Sequence, residues 1–141
     1  MKVEIARSLL EQIMALAAAA PDEICGLLFG QSDRIEAMCR AANVAPDPAR
    51  HFELDPSVLI AAHRAARAGG PQVIGHYHSH PSGVARPSVT DAACASPDGS
   101  LWLIVGGGEA RLWIAQPDDG MENEPGNELA VRFVEAMLDI R

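Results

Sequence analysis

The chain has 141 residues, 48% of them hydrophobic and 21% charged, with a formal net charge of −8. That length predicts one domain, residues 1–141, with a core that needs no disulfide staples, and the acidic balance excludes a general binder of nucleic-acid backbones, which needs a basic face. The apolar run at 16–20 stops at Pro21 and is too short to cross a membrane, the first ten residues lack a secretion signal's apolar centre, and three cysteines without a CxxC spacing point to a reducing cytoplasm.

In chain order, Ile5, Leu9, Ile13 and Leu16 recur at helical spacing, so a helix is predicted over 5–19, closed by Pro21. The apolar run "ICGLLFG" at 24–30 predicts a buried strand, and a hairpin around "GQSD" would lead into a second strand within 33–45. Asp55 is a good N-cap, Pro56 suits a first helical turn, and the alanine-rich body that follows predicts a helix ended by Gly69, Gly70 and Pro71. "QVIGHYHSH" then reads as a strand broken by Pro81, with a loop over 82–87 and a short helix from Thr90. "LWLIVGGG" and "ARLWIA" predict a β-hairpin turning at the glycines. Residues 117–128 hold two prolines, two glycines and five acids without a base, a loop composition. In the last segment Leu129, Val131 and Phe133 alternate like a strand, while the second half has helical character. Strands mixed with crossover helices predict one α/β or α+β layered domain.

Three of the five histidines fall at 76, 78 and 80. In a strand, side chains two apart share a face, so His78 and His80 are placed to hold one metal ion. Zinc favours imidazole nitrogen and, in catalytic sites, takes three protein ligands plus water. Asp91 is the best third candidate, because a loop reversing between Pro81 and Pro87 returns it to the strand end. Glu23, Cys25, His76 and Asp98 remain competitors. Hydrolysis also needs a base beside the attacking water. Glu23 is the first choice, since an acid entering an apolar strand is costly unless it serves something. Ser88 could donate a hydrogen bond to a developing oxyanion. It could equally be the N-cap of a capping box with Asp91, and the two readings are compatible in part. Cys25 reads as a small buried residue, and His51 and His63 as surface positions.

The order Glu23, then His78-Ser79-His80-Pro81, then Ser88 and Asp91, with seven residues between His80 and Ser88, resembles the JAMM motif of the MPN-plus metalloprotease family. The segments "PDEICGLLFG" and "FELDPSVLIAAHRAARAGGPQVIGHYHSHP" resemble the family's glutamate strand and its helix leading into the metal strand, and the likeness extends over roughly 2–115. The resemblance implies a cytidine-deaminase-like α/β fold, with a mixed β-sheet flanked by helices. It implies one zinc ion on His78, His80 and Asp91, Glu23 as general acid and base, and Ser88 stabilising the tetrahedral intermediate. It further implies hydrolysis of peptide or isopeptide bonds after the C-terminal Gly-Gly of a ubiquitin-like or sulfur-carrier protein. A metal-free MPN scaffold that only binds proteins is the alternative, and such modules lack some of the five residues present here. A DNA-linked role is disfavoured by the acidic balance.

Overall fold

The computed structural model describes residues 1–118 and 130–141. Among these residues, seven strands and three helices follow one another as β1 (Lys2–Ile5), α1 (Arg7–Ala19), β2 (Cys25–Gln31), β3 (Arg34–Ala41), α2 (Pro56–Arg67), β4 (Val73–His80), α3 (Val89–Cys94), β5 (Leu101–Gly106), β6 (Glu109–Pro117) and β7 (Val131–Ile140). The strands pair in the order β1-β3-β2-β4-β5-β6-β7, and β1 also pairs with β7, so the ladder closes on itself. The β1–β3, β1–β7 and β4–β5 pairs are parallel and the rest antiparallel. The expected mixed sheet with helices against it is therefore present.

Local chemistry accounts for most of the boundaries. Asp55 accepts a hydrogen bond from Ser57 N at 3.0 Å with Pro56 behind it, and Gly69 leaves α2 at φ +98°, a conformation that favours glycine. Gly107 and Gly108 both have positive φ, as the two-residue turn between β5 and β6 requires. Two predicted boundaries move. Ile5 ends β1 rather than starting α1, because it pairs with Ile35 on one side and Ile140 on the other and is buried between them. The segment 131–140 is strand throughout, since β6 and β1 supply partners on both of its edges. The acidic loop predicted at 117–128 lies outside the described residues from 119 onward, as does Leu129.

Two faces of the sheet do different work. All six residues of β5 are buried, as expected for a strand covered on both sides. One face forms the main core, where Leu10 and Ile13 of α1 meet Val3, Ile5, Leu28, Ile35, Tyr77, Leu103 and Leu112. Tyr77 belongs to that core, so strand alternation turns His76, His78 and His80 to the opposite face. Among the described residues, no helix is long and apolar enough to cross a membrane.

Candidate metal centre

The site forms at the end of β4. His78 Nε2 and His80 Nε2 lie 3.1 Å apart, and each lies 3.1 Å from Asp91 Oδ2. Three donor atoms thus form a nearly equilateral triangle. Donors bound to tetrahedral zinc at 2.0–2.1 Å stand about 3.3 Å from one another, so the triangle is close to the size one such ion needs. Two imidazole nitrogens and one carboxylate oxygen are also a donor set that zinc favours. His78 is fully buried and Asp91 nearly so. The Glu23 carboxyl lies close by, with its ligand atom and those of His78 and His80 all within 4.8 Å of one another.

Each side chain is held by a specific backbone feature. Asp91 is the third residue of α3, and Ser88 caps that helix. Ser88 Oγ accepts from Asp91 N at 3.0 Å, while Ser88 N donates to Asp91 Oδ2 at 2.9 Å. The capping box and the donor triangle therefore share one carboxylate oxygen, so the cap fixes that oxygen beside the two imidazoles. The Ser88 O–H is left able to donate, because the cap uses the oxygen only as an acceptor. His80 Nδ1 lies 2.8 Å from the carbonyl oxygen of Val84, which makes Nδ1 the protonated nitrogen and turns the Nε2 lone pair toward the triangle. His78 Nδ1 lies 3.2 Å from His76 Nε2.

Glu23 precedes β2 and is 5% exposed. Its backbone is fixed from both directions. Glu23 N donates to Pro48 O at 2.8 Å, and Asn43 Nδ2 donates to Glu23 O at 2.9 Å. Its neighbour Ile24 is clamped to β4, with Ile24 N donating to Ser79 Oγ at 2.9 Å and Ser79 N donating to Ile24 O at 3.1 Å. The serine between the two histidines faces away from the triangle and fastens the glutamate segment to the histidine strand.

The charges are set by burial and by these partners. Burial pushes the Glu23 carboxyl up to about 7; Asp91 adds to the rise and His80 opposes it. Burial lowers His78, against the hydrogen bond and charge of Asp91. Burial also works against His80, but Asp91 and the Val84 carbonyl outweigh it and raise this imidazole. Burial alone would raise Asp91; hydrogen bonds to His78 and His80, with the Ser88 N–H, instead hold its carboxyl well below the usual carboxylate range. Burial takes His76 down to about 3.

The five expected residues, Glu23, His78, His80, Ser88 and Asp91, all meet here. Of the competing third ligands, Glu23 lies with His78 and His80 in a group able to hold a metal ion, while the other three do not join the triangle. Asp98 is exposed and accepts from Ser100 N, Cys25 is buried with its thiol toward the carbonyls of Ala41 and Ala42, and His76 bonds to His78 from outside. His51 and His63 are exposed, as expected. Sequence reasoning missed four supports: Ser79, Asn43, Phe52 and Trp102. Asn43 Nδ2 donates to Pro48 O and His51 O as well as Glu23 O, and its Oδ1 accepts from Ala45 N and Glu53 N, which organises the segment carrying Phe52. Phe52 stacks on His78 at 4.2 Å between ring centroids. Only the position of Ser79, between two presumptive ligands and alternate to them, was a usable sequence signal.

The chain was compared with known proteins. The family described as prokaryotic homologs of the JAB domain matches residues 6–116. Over 90 residues, 62% of this chain and 65% of the other, the chain is 39% identical to a protein named desampylase from Haloferax volcanii. Over 88 residues, 62% of this chain and 59% of the other, it is 38% identical to a probable TtuB-protein conjugate cleaving protease from Thermus thermophilus. The match spans less than two thirds of either of these two relatives. Among solved structures, protein DSY2949 from Desulfitobacterium hafniense has a TM-score of 0.77 at 26% identity, covering 100% of this chain and 93% of that one. A structure described as "JAMM: a metalloprotease-like zinc site in the proteasome and signalosome" shares the fold with a TM-score of 0.54 at 22% identity, covering 99% of both chains.

Proposed function

The chain belongs to the family of prokaryotic homologs of the JAB domain, and from that premise we propose that it is a zinc metallopeptidase or isopeptidase of the JAMM type. Its substrate is a ubiquitin-like or sulfur-carrier protein, cut after a C-terminal Gly-Gly. One observation carries the chemistry: the donor triangle of His78, His80 and Asp91 at 3.1 Å, with a buried Glu23 beside it. The names of the two curated relatives, a desampylase and a probable conjugate cleaving protease, support the substrate class.

His78 Nε2, His80 Nε2 and Asp91 Oδ2 would hold the ion. When bound, zinc supplies a Lewis acid that polarises a carbonyl and makes water a nucleophile near neutral pH. Glu23 takes the proton of the attacking water and returns it to the leaving amine. Burial would hold this carboxyl near 7, and the positive charge of a bound ion would favour the ionised form that accepts the proton. The Ser88 hydroxyl donates to the oxygen that gains charge during attack. Glu23, His80 and Ser88 line a groove of about 610 Å³, with Arg50, Gly83 and Val89 along its walls.

The test uses a ubiquitin-like protein whose Gly-Gly tail is fused to a reporter, with zinc and turnover measured on the same preparations. About one zinc per chain and a cut after the second glycine are expected. Glu23→Gln is expected to keep zinc and lose at least about a hundredfold in turnover, since general acid–base catalysis contributes typically ~10²–10⁴-fold. A zinc-loaded chain that cuts no Gly-Gly fusion would favour a binding scaffold. Near-normal turnover in zinc-loaded Glu23→Gln would remove the base assigned here.

A further inference from the structure

His78 uses Nε2 toward the donor triangle, so its other nitrogen decides how the ring is aimed. A metal-binding imidazole needs its remaining N–H bonded to an acceptor, most often a carboxylate or a backbone carbonyl, to fix both tautomer and orientation. For His78 that acceptor is neither. Its Nδ1 meets His76 Nε2 at 3.2 Å. The two ring planes lie 18° apart, with centroids 5.3 Å apart. At that separation, and with the facing nitrogens at 3.2 Å, the rings sit edge to edge, so an N–H on one points at a lone pair on the other. His80 solves the same problem differently, through the carbonyl of Val84.

The position of His76 is itself tightly determined. In the sheet it lies opposite Leu27 of β2 and Trp102 of β5. The Trp102 and His76 rings are T-shaped with centroids 4.4 Å apart, and Phe52 lies 5.2 Å from His76, centroid to centroid, while stacking on His78. The same aromatic rings flank both imidazoles, and beside the fully buried His78 the half-buried His76 supplies the polar partner of His78 Nδ1. An apolar residue at 76 would leave that N–H buried without an acceptor, at the full desolvation cost of the group.

The geometry points to His76 as a positioning residue: it accepts the Nδ1 proton of His78 and thereby holds the His78 Nε2 lone pair toward the metal. This rests on the zinc reading above, in which His78 is a ligand. It fixes the tautomers of the whole row. His78 carries its proton on Nδ1, His76 carries its own on Nδ1 and accepts at Nε2, and His80 carries its proton on Nδ1. A histidine acceptor also orients the ligand without adding a negative charge, unlike the carboxylate that commonly fills this role.

Two measurements test this. The first is zinc affinity, by competition with a chromogenic chelator, for the wild-type chain, His76→Phe, His76→Gln and His78→Ala. Phenylalanine fits the aromatic enclosure but accepts nothing, while the glutamine carbonyl oxygen can accept. His76→Phe is expected to bind zinc about 10–100-fold more weakly, the usual cost of losing an orienting partner, and His76→Gln is expected to recover most of the loss. The second is the tautomer of each histidine in the zinc-loaded wild-type chain, read from long-range ¹H–¹⁵N correlations, which depends on no variant folding. His76 is expected as the Nδ1–H form. Wild-type affinity in His76→Phe together with loss in His78→Ala would reduce His76 to packing, and an Nε2–H tautomer at His76 would overturn the assignment directly. A wild-type chain that binds no zinc at all would instead overturn the metal reading, and this inference with it.

Discussion

At the scale of single residues, the buried carboxyl of Glu23 makes two separable predictions. Its pKa is raised from 4.5 to about 7, so the folded chain holds this proton more tightly than the unfolded chain does. The stabilisation is fully present below pH 4.5 and lost as pH rises through 7. Glutamine resembles the protonated acid at every pH. In the metal-free protein, Glu23→Gln should therefore match the wild type near pH 4 and exceed it by up to about 3 kcal/mol above pH 8. Urea unfolding at several pH values measures this, and a constant difference across the range would contradict it. Ser88 needs a substitution that separates its cap from its hydroxyl. Ser88→Gly keeps helix-cap stability to within a few tenths of a kcal/mol, yet removes the donor. A fall in turnover of roughly 10²–10³-fold with little change in melting is expected if the hydroxyl stabilises the oxyanion. Unchanged turnover would leave Ser88 as a cap alone.

Among the elements, the loop between β4 and α3 carries the greatest demand, because it must supply the Val84 carbonyl to His80 and return Asp91 to the strand end. Its seat is Gly106, the last residue of β5. A Cβ there would stand 2.8 Å from the Val84 carbonyl carbon and 3.0 Å from the oxygens of Gly83 and Val84. Those atoms are backbone and cannot swing aside. Gly106→Ala should therefore displace the acceptor of His80, weakening zinc binding by about tenfold at a stability cost of roughly 1–3 kcal/mol. Isothermal titration with zinc and a denaturation curve on the same variant would read both. Full affinity with unchanged stability would show that the loop adapts. Gly26 is constrained in the same way, since a side chain there would run into the Cys39 carbonyl and the Tyr77 ring, but its neighbours belong to the core rather than to the loop.

At the scale of the molecule, β4 separates two environments. Tyr77 faces an apolar core shared by α1 and the six other strands, and the histidines face the donor triangle on the other side. None of the main-core residues belongs to the donor triangle. Stripping zinc with a chelator should therefore leave the far-ultraviolet dichroism unchanged while lowering the melting temperature, because a ligand at a thousand times its Kd adds about 4 kcal/mol to the folded state. For a domain of this size, that corresponds to a drop of roughly 10 °C. Loss of secondary structure on chelation would mean that the metal, and not the core, organises the sheet.

Local pattern was legible in the chain: the helix caps at Asp55 and Ser88, the glycine turn after Gly106, the alternation that turns three histidines to one face, and the spacing that links Glu23, His78, His80, Ser88 and Asp91. Each is a matter of residue type at a fixed separation along the chain. The rest came from contacts between segments distant in sequence. Ile5 became strand, and 131–140 became strand to its end, because β1, β3, β6 and β7 are hydrogen-bond partners far apart in sequence. The choice of Asp91 over His76 in the triangle, the grip of Asn43 on Glu23 and the clamp of Ser79 on Ile24 are likewise matters of through-space distance. A hydrogen bond spanning 55 residues, such as that of Ile24 to Ser79, leaves no period in the chain, since its two partners are brought together by the register of β2 on β4 and by nothing local to either.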